Sequence, residues 1–529
     1  MKNAVLERPA RSRPLAFGVA LALFASLVAY LHIIRLVEPL GVDQGLFACF
    51  ARWVPRGWLP YRDIFDSKPP LFLYSYALAA LVPGDVVRAI WWVEGVWLLA
   101  SLSVAYAVVA RVWSRPAGLA CAALLFFGLW SPAWGGFWSR AQAEELLALP
   151  MLGAAWFAWR AIDHQRFATL AGVLAGVCGL YKIPSLAIAG AFAFTWLLTL
   201  PRGAFARRAI LLTCGVAVPW VIVSAWFAAQ HALLDFATGV FVYHRYNAAF
   251  ISPPWSDVFV GFTRTMVTRA SFLLVAAALG LRSMVVHGER RALCWVAPWI
   301  AFTMAAVILQ RQLADYHYLL VMPPLAVAGA YGLVASSRDA RAAADPNDRW
   351  LAITGLVVLV ALGAREAAAW VRAYAPDAQA TTGALSREAY LRQIQMGNYS
   401  TADEEAAARY IDAHSGASEG ILVWGLSPGL YAIADRHPVT RFPFHKILMT
   451  DAPLSRMWPG LEERRADFMA RLAADPPSYI LVGHGDRNGF EPQDSFTSMT
   501  RFAELRELIA RSYREETQIG HFVVFHRVP

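Results

Sequence analysis

From Leu15 to Trp370 the sequence repeats one pattern, an apolar run of roughly membrane length followed by a short polar break. In lipid every backbone polar group must be satisfied within the segment, so a chain of such runs folds as a bundle of helices. The runs are 15–37, 88–110, 117–132, 145–161, 167–181, 185–200, 209–229, 270–286, 292–310, 318–335 and 350–370, eleven in all. Composition agrees: 58% of the 529 residues are hydrophobic and 16% charged, where a soluble domain is about a quarter charged. The net charge of +9 is therefore no nucleic-acid signal, because the arginines fall in short clusters between the runs, as topology signals do. Many of the 21 tryptophans (Trp53, Trp58, Trp91, Trp92, Trp130, Trp134, Trp138) stand near run ends, where amphipathic rings settle at the interface.

The basic clusters orient the bundle. With the N-terminal Lys2, Arg8, Arg11 and Arg13 inside, the clusters 111–115, 160–166, 202–208, 282–291 and 338–349 all fall on the cytoplasmic side. The outer connections are then 38–87, 133–144, the break at 182–184, 230–269 and 311–317. Leu71–Pro83 is apolar but only 13 residues long and bounded by prolines, so it reads as an interfacial helix. Counting it as a span would move every later cluster outside. Run 15–37 is longer than a signal-peptide core and no cleavage site follows it, so it reads as an uncleaved first helix. Five cysteines show no metal or disulfide spacing.

Beyond about Pro376 the composition changes. Charges become frequent, and Ile421–Trp424, Tyr479–Val482 and Phe522–Phe525 read as short buried strands among helical patterns at 401–414, 461–474 and 499–512. The expected organisation is a membrane domain over 1–375, with its first outer loop at 38–87, and an outer α/β domain over 376–529.

That topology gathers ionisable residues on one face: Asp43; the run Tyr61–Pro70 with Asp63, Asp66 and Lys68; Arg140, Glu144 and Glu145; and Lys182 in a Lys-Ile-Pro break. Arg245, Arg264, Arg269, Arg311, His317 and Tyr318 join them from later loops. Charges at a membrane boundary are costly unless paired or hydrated, so they pose a functional question. Transfer from a lipid phosphate is the chemistry they suit. Cations such as Lys68, Lys182 and a later arginine would hold the phosphate, and Asp43 would activate or orient an acceptor hydroxyl. Structural readings stand beside these. Asp43 suits the N-cap of a helix over 44–54, and Lys68 suits snorkelling from an interfacial helix. Glu144 and Glu145 complement a helix dipole, and Asp63 and Asp66 suit turns.

The early Asp43, the stretch Gly57-Trp-Leu-Pro-Tyr-Arg-Asp-Ile-Phe-Asp-Ser-Lys-Pro-Pro-Leu71 and the Lys182-Ile-Pro184 break together resemble the GT-C integral-membrane glycosyltransferases. The similarity is to bacterial relatives of the dolichyl-phosphate-mannose protein mannosyltransferases and to the aminoarabinose-lipid A transferases. It covers most of 15–335, and the tail looks like the periplasmic domain attached to many bacterial members. The resemblance implies a hexosyl- or pentosyltransferase of the bacterial inner membrane, N-terminus cytoplasmic and C-terminal domain periplasmic. It would move a sugar, with inversion, from a polyprenyl-phosphate monosaccharide to a lipid, glycan or protein acceptor. Asp43 then matches the first-loop acid, Lys68 the lysine on the donor phosphate, and His317 and Tyr318 the group near that phosphate. The family often has Asp-Glu where this chain has Asp43-Gln44, and divalent-metal dependence is left open. The rivals are a transporter or flippase for a lipid-linked precursor, which would place its charges at the midplane on broken helices and inverted repeats, and a non-catalytic envelope scaffold.

Overall fold

In the computed structural model of the protein, residues 14–245, 253–396, 398–449, 460–487 and 493–528 are described. The basic cluster Lys2–Arg13 lies outside them. All eleven expected spans are helical, but their lengths fall into two groups. Seven helices are long and apolar enough to cross a membrane: Leu15–Val37, Val86–Val112, Arg115–Trp134, Arg202–Ala229, Arg290–Leu309, Asp315–Ala342 and Pro346–Thr381. Helices Trp255–Arg269 and Ser271–Val286, bent by 91° at Ala270, make an eighth if they act as one span. Ala148–Ala161, Phe167–Tyr181 and Ala187–Thr199 have 14, 15 and 13 residues. At about 1.5 Å per residue they fall short of a hydrocarbon core about 30 Å thick. The helix lengths thus support fewer full crossings than the eleven expected. The cause is local: Lys182 turns to extended backbone and Pro184 follows, ending one helix early and starting the next late.

Glycines let the helices approach closely, as small residues do in membranes. A Cβ on Gly280 would lie 1.9 Å from the Ala328 carbonyl of the neighbouring helix. The connections sort to two ends, as the basic clusters demand. At one end Arg291 pairs with Asp163 at 2.6 Å, Arg282 with Asp348, and Arg208 donates to the Ala161 carbonyl at 2.6 Å. At the other end the first loop, 137–142, Lys182 and 312–317 come together.

That first loop carries α2 (Val42–Trp53), following α1 (Pro14–Ile34), and then α3 (Pro70–Ala77), the short helix expected there. The residue before a proline is pushed to extended backbone, and proline suits the first helical position. Lys68-Pro69-Pro70 therefore stops the loop at Lys68 and starts α3 at once. Asp43 does not cap α2: Gly41 is the N-cap, and Asp43 sits in the first turn, where an acid complements the dipole.

The last long helix runs through Pro376 to Thr381, so the compositional change does not mark its end. A two-stranded ladder, β1 (Gln395–Met396) and β2 (Tyr399–Ser400), precedes the sheet. The sheet itself has the order β3-β4-β6-β5, with β3 (Ile421–Trp424) parallel to β4 (Tyr479–Gly483). Strands β5 (Tyr513–Ile519) and β6 (Phe522–Arg527) form an antiparallel hairpin beside β4. Helices Thr401–His414 and Leu461–Ala474 match the expected ranges. The pattern at 499–512 is instead two helices, Ser495–Thr500 and Ala503–Ser512, because Phe502 turns extended to bury its ring against Trp424 and Phe468.

Candidate functional site

Asp43 and Phe47 are four residues apart and share one face of α2. The Lys68 ammonium stands 6.0 Å from the Phe47 ring centroid and 5.4 Å from that of Tyr316. Tyr316 in turn lies against Asp43 and within electrostatic reach of Glu144 and Asp66. The lysine and the acid two dozen residues apart in sequence therefore face the same space.

The loop fixes Lys68 through its backbone. The Asp66 carboxylate accepts the backbone N–H of Ser67 and, at 3.0 Å, that of Lys68. The Tyr61 hydroxyl donates to the Lys68 carbonyl at 2.7 Å, and the His244 ring meets the Ser67 carbonyl at 2.7 Å. Tyr61 is fully buried with φ +72°, a left-handed conformation costly for a bulky side chain. The residues packed on it, Phe227, Phe236 and Gly239, hold it there. Burial pushes the Asp66 carboxyl up to about 6, against the pull of Lys68 and the two amides. Burial also pushes His244 down to about 4, so that imidazole is neutral.

Lys182 enters from the helix break, and its ammonium bonds the fully buried Glu144 carboxylate. Its ring contact with Tyr316, 5.7 Å, puts both lysines beside the same tyrosine. Burial pushes the Lys182 ammonium down to about 8, opposed by Glu144 and reinforced by Lys68. His317 Nε2 stands 4.0 Å from Glu144, and Gln142 donates to Asp43 at 3.4 Å. Among the described residues no carboxylate lies within ion-pair distance of Lys68. The Oδ2 of Asp66, Oε2 of Glu144 and Oε1 of Gln142 are buried without a partner.

Asp43, Asp66, Lys68, Glu144, Lys182 and His317 thus come together, and Tyr316 and Gln142, which the sequence reading missed, stand among them. Other expected site residues do not join. Arg140 is 2% exposed and turned into a separate network: Nη1 donates to Glu38 at 2.7 Å, Nε to Glu94 at 3.0 Å, and the guanidinium stacks 4.0 Å over Trp91. It is a buried brace and not a substrate contact. Asp63 pairs with the adjacent Arg62 at 2.8 Å and accepts the Leu59 N–H at 2.7 Å, the work of a turn residue. Tyr318 packs between Trp134 and Phe262, at 5.5 and 5.6 Å, away from both lysines. Arg245 is exposed at the end of its segment. Glu145 accepts from Trp130 and the Ala141 N–H, both at 2.8 Å. Gln44 explains the departure from Asp-Glu, since its amide donates to the carbonyls of Phe137, Trp138 and Arg140 at 2.8–3.0 Å. A carboxylate there would face only acceptors.

Among the described residues no three His, Cys, Asp or Glu side chains gather as a metal site. The acids of the cluster are interleaved with two lysines, a donor set that does not fit a bound divalent ion.

A multi-pass helical bundle with an acid and a lysine in its first loop, followed by a small α/β domain, is an architecture shared with solved membrane proteins. The chain is similar over nearly its whole length to ArnT from Cupriavidus metallidurans. For ArnT bound to undecaprenyl phosphate the TM-score is 0.62 at 16% identity, covering 96% of this chain and 98% of that one. For apo ArnT it is 0.58 at 16% identity, covering 97% and 98%. AglB from Archaeoglobus fulgidus, in complex with an inhibitory peptide and a dolichol-phosphate, is more distant, with a TM-score of 0.49 at 12% identity over 95% of this chain and 74% of that one. No family model matches the sequence, and no curated protein does.

Proposed function

We propose that the chain is an inverting glycosyltransferase that moves one sugar from a polyprenyl-phosphate monosaccharide to an acceptor at the outer face of the bacterial inner membrane. One observation carries the reading: the Lys68 ammonium, with no carboxylate within ion-pair distance among the described residues, meets Asp43 and the Lys182–Glu144 pair around Tyr316. A neighbour of the same fold binds undecaprenyl phosphate, and the two lysines beside Tyr316 have the charge for such a head group.

In this reading Lys68 and Lys182 bind the donor phosphate and offset the charge it gains as the bond from C1 to the phosphate oxygen breaks. Glu144 keeps Lys182 charged and aimed. Asp43 takes the proton of the acceptor hydroxyl as that oxygen attacks C1 from the opposite face. Asp66 holds the backbone that presents Lys68. The outer location follows from the alternation of basic clusters and puts the C-terminal domain in the periplasm.

The transporter reading needs charges at midplane, and here they sit at one end of the bundle beside the folded domain. The test is to incubate the chain in nanodiscs with radiolabelled polyprenyl-phosphate sugars and membrane acceptors. A labelled product formed by wild type and lost in Lys68→Ala is expected. A vectorial flip of donor with no product, or equal product from Lys68→Ala, overturns the proposal.

A further inference from the structure

The C-terminal domain grips the first loop at two places, and both grips come from one segment, Pro428–Phe442. The first is on α2. Gly45 faces Gly429 so closely that a Cβ on it would lie 2.8 Å from the Gly429 Cα and N. Cys49 Sγ donates to the Pro428 carbonyl at 3.4 Å, Arg52 Nε to that of Ala432 at 3.1 Å, and Arg56 makes a two-pronged pair with Asp435 at 2.7 and 3.0 Å. Positions 45, 49, 52 and 56 form one stripe at helical spacing, while Asp43 and Phe47 stand two residues to either side of Gly45, on the opposite face. The helix is held between the domain on one side and the Lys68–Tyr316 cluster on the other.

The second grip is on the lysine arm. The Phe65 N–H donates to the Arg441 carbonyl at 2.7 Å, and the Phe65 ring packs with Phe442 and Tyr243, with centroids 6.2 and 5.8 Å away. Arg441 also pairs with Asp235 at 3.1 Å. Phe65 directly precedes Asp66, which holds the Lys68 backbone.

We propose that the segment Pro428–Phe442 is a positioning element of the transfer site, its Gly429 end setting the depth of Asp43 and its Arg441 end setting the placement of Lys68. This rests on the transferase reading. It gives the outer domain a task inside the reaction, distinct from capturing a partner. Because the two ends act on residues with different roles, they are separable by kinetics.

Full-length Gly45→Ala in nanodiscs pushes α2 off Gly429. Its kcat, counted per undecaprenyl-phosphate-binding site, should fall by up to about 100-fold with the phosphate Kd unchanged, since a displacement near 1 Å at the reacting groups costs that much. Phe442→Ala, which removes the ring packed on Phe65, should do the reverse, raising that Kd about tenfold, with kcat at saturating donor nearly kept. Cys49→Val, a milder change on the same stripe, serves if Gly45→Ala does not fold. A merely structural contact would lower the number of binding sites and leave kcat per site alone. That result, or Kd and kcat moving together in both variants, overturns the inference. If the wild type itself neither binds undecaprenyl phosphate nor transfers sugar, the functional reading falls instead.

Discussion

Two polar clusters lie near the same end of the bundle, and they are built on opposite rules. Around Arg140 each cation has a counter-ion: Arg35 and Arg140 share Glu38, Arg140 also takes Glu94, and both guanidinium groups stack on Trp130, at 4.5 and 5.6 Å. That network ties the end of α1 to the helices Val86–Val112 and Pro346–Thr381, the latter through Arg35 over the Tyr374 ring at 4.7 Å. Around Asp43 one charge is left open: among the described residues the Lys68 ammonium has no carboxylate within ion-pair distance, only the Phe47 and Tyr316 rings beside it. A closed network holds helices in place, while an open one is held in place by its surroundings and costs stability until a ligand completes it. The comparison teaches that buried charge alone does not mark a site. Unsatisfied charge within reach of solvent does.

The largest effect should separate the two directly. Arg140→Ala leaves Glu38 and Glu94 buried without their cation and should cost about 3–5 kcal/mol of stability, seen as a large fall in melting temperature and loss of folded yield. Lys68→Ala should leave the melting temperature near wild type. If Lys68→Ala unfolds the chain while Arg140→Ala melts normally, the contrast is broken.

Next in size, Lys68→Ala should weaken undecaprenyl-phosphate binding by about 10- to 100-fold, the worth of a charge-assisted hydrogen bond. Equilibrium titration in nanodiscs reads it, and Arg140→Lys serves as a comparison expected to keep the wild-type Kd wherever it still folds.

The pH dependence is smaller and has two limbs. Lys182 sits at about 8, below its usual value, so its charge is lost as pH rises through 8 and donor binding should fall there. Asp66 sits at about 6, above its usual value, so its charge is lost as pH falls through 6 and its hold on the Lys68 backbone weakens. The profile of kcat/KM should therefore peak between these values. Lys182→Arg should remove the alkaline limb and keep the acid one; an unchanged profile would take Lys182 out of the donor site.

The smallest effect lies in the C-terminal domain. Burial against Gly429 pushes Glu404 up to about 8. A carboxyl raised in the folded state adds stability that is fully present below its unfolded pKa and is lost as pH rises through the folded one. Melting temperature should thus fall between about pH 5 and 8, and Glu404→Gln should flatten that slope.

Much of this was legible in the sequence because it rests on local chemistry. Apolar runs and basic clusters gave the helices and their two ends, and Lys68-Pro69-Pro70 placed a lysine at a loop-to-helix corner. Asp43 and Lys68 could be matched because both lie in one loop. What the sequence hid depends on distant partners. Arg140 looked like a site residue because Glu38 and Glu94, its counter-ions, are 102 and 46 residues away. Tyr316 was passed over for its neighbours His317 and Tyr318, although the tight 3-10 turn over Asp315–Val321 points successive side chains in different directions. Strand β5 was missed because Arg514, Glu515 and Glu516 mask any alternation, and its identity comes from pairing with β6 at the sheet edge.

The central claim is that Asp43 acts on an acceptor beside a donor phosphate held by Lys68. Its most direct test is a single-turnover assay in which Asp43→Asn is first saturated with labelled donor and then mixed with acceptor. The account predicts full donor occupancy and product formation slowed by about 100-fold or more, the usual contribution of a general base. Product appearing at the wild-type rate from fully loaded Asp43→Asn would contradict it.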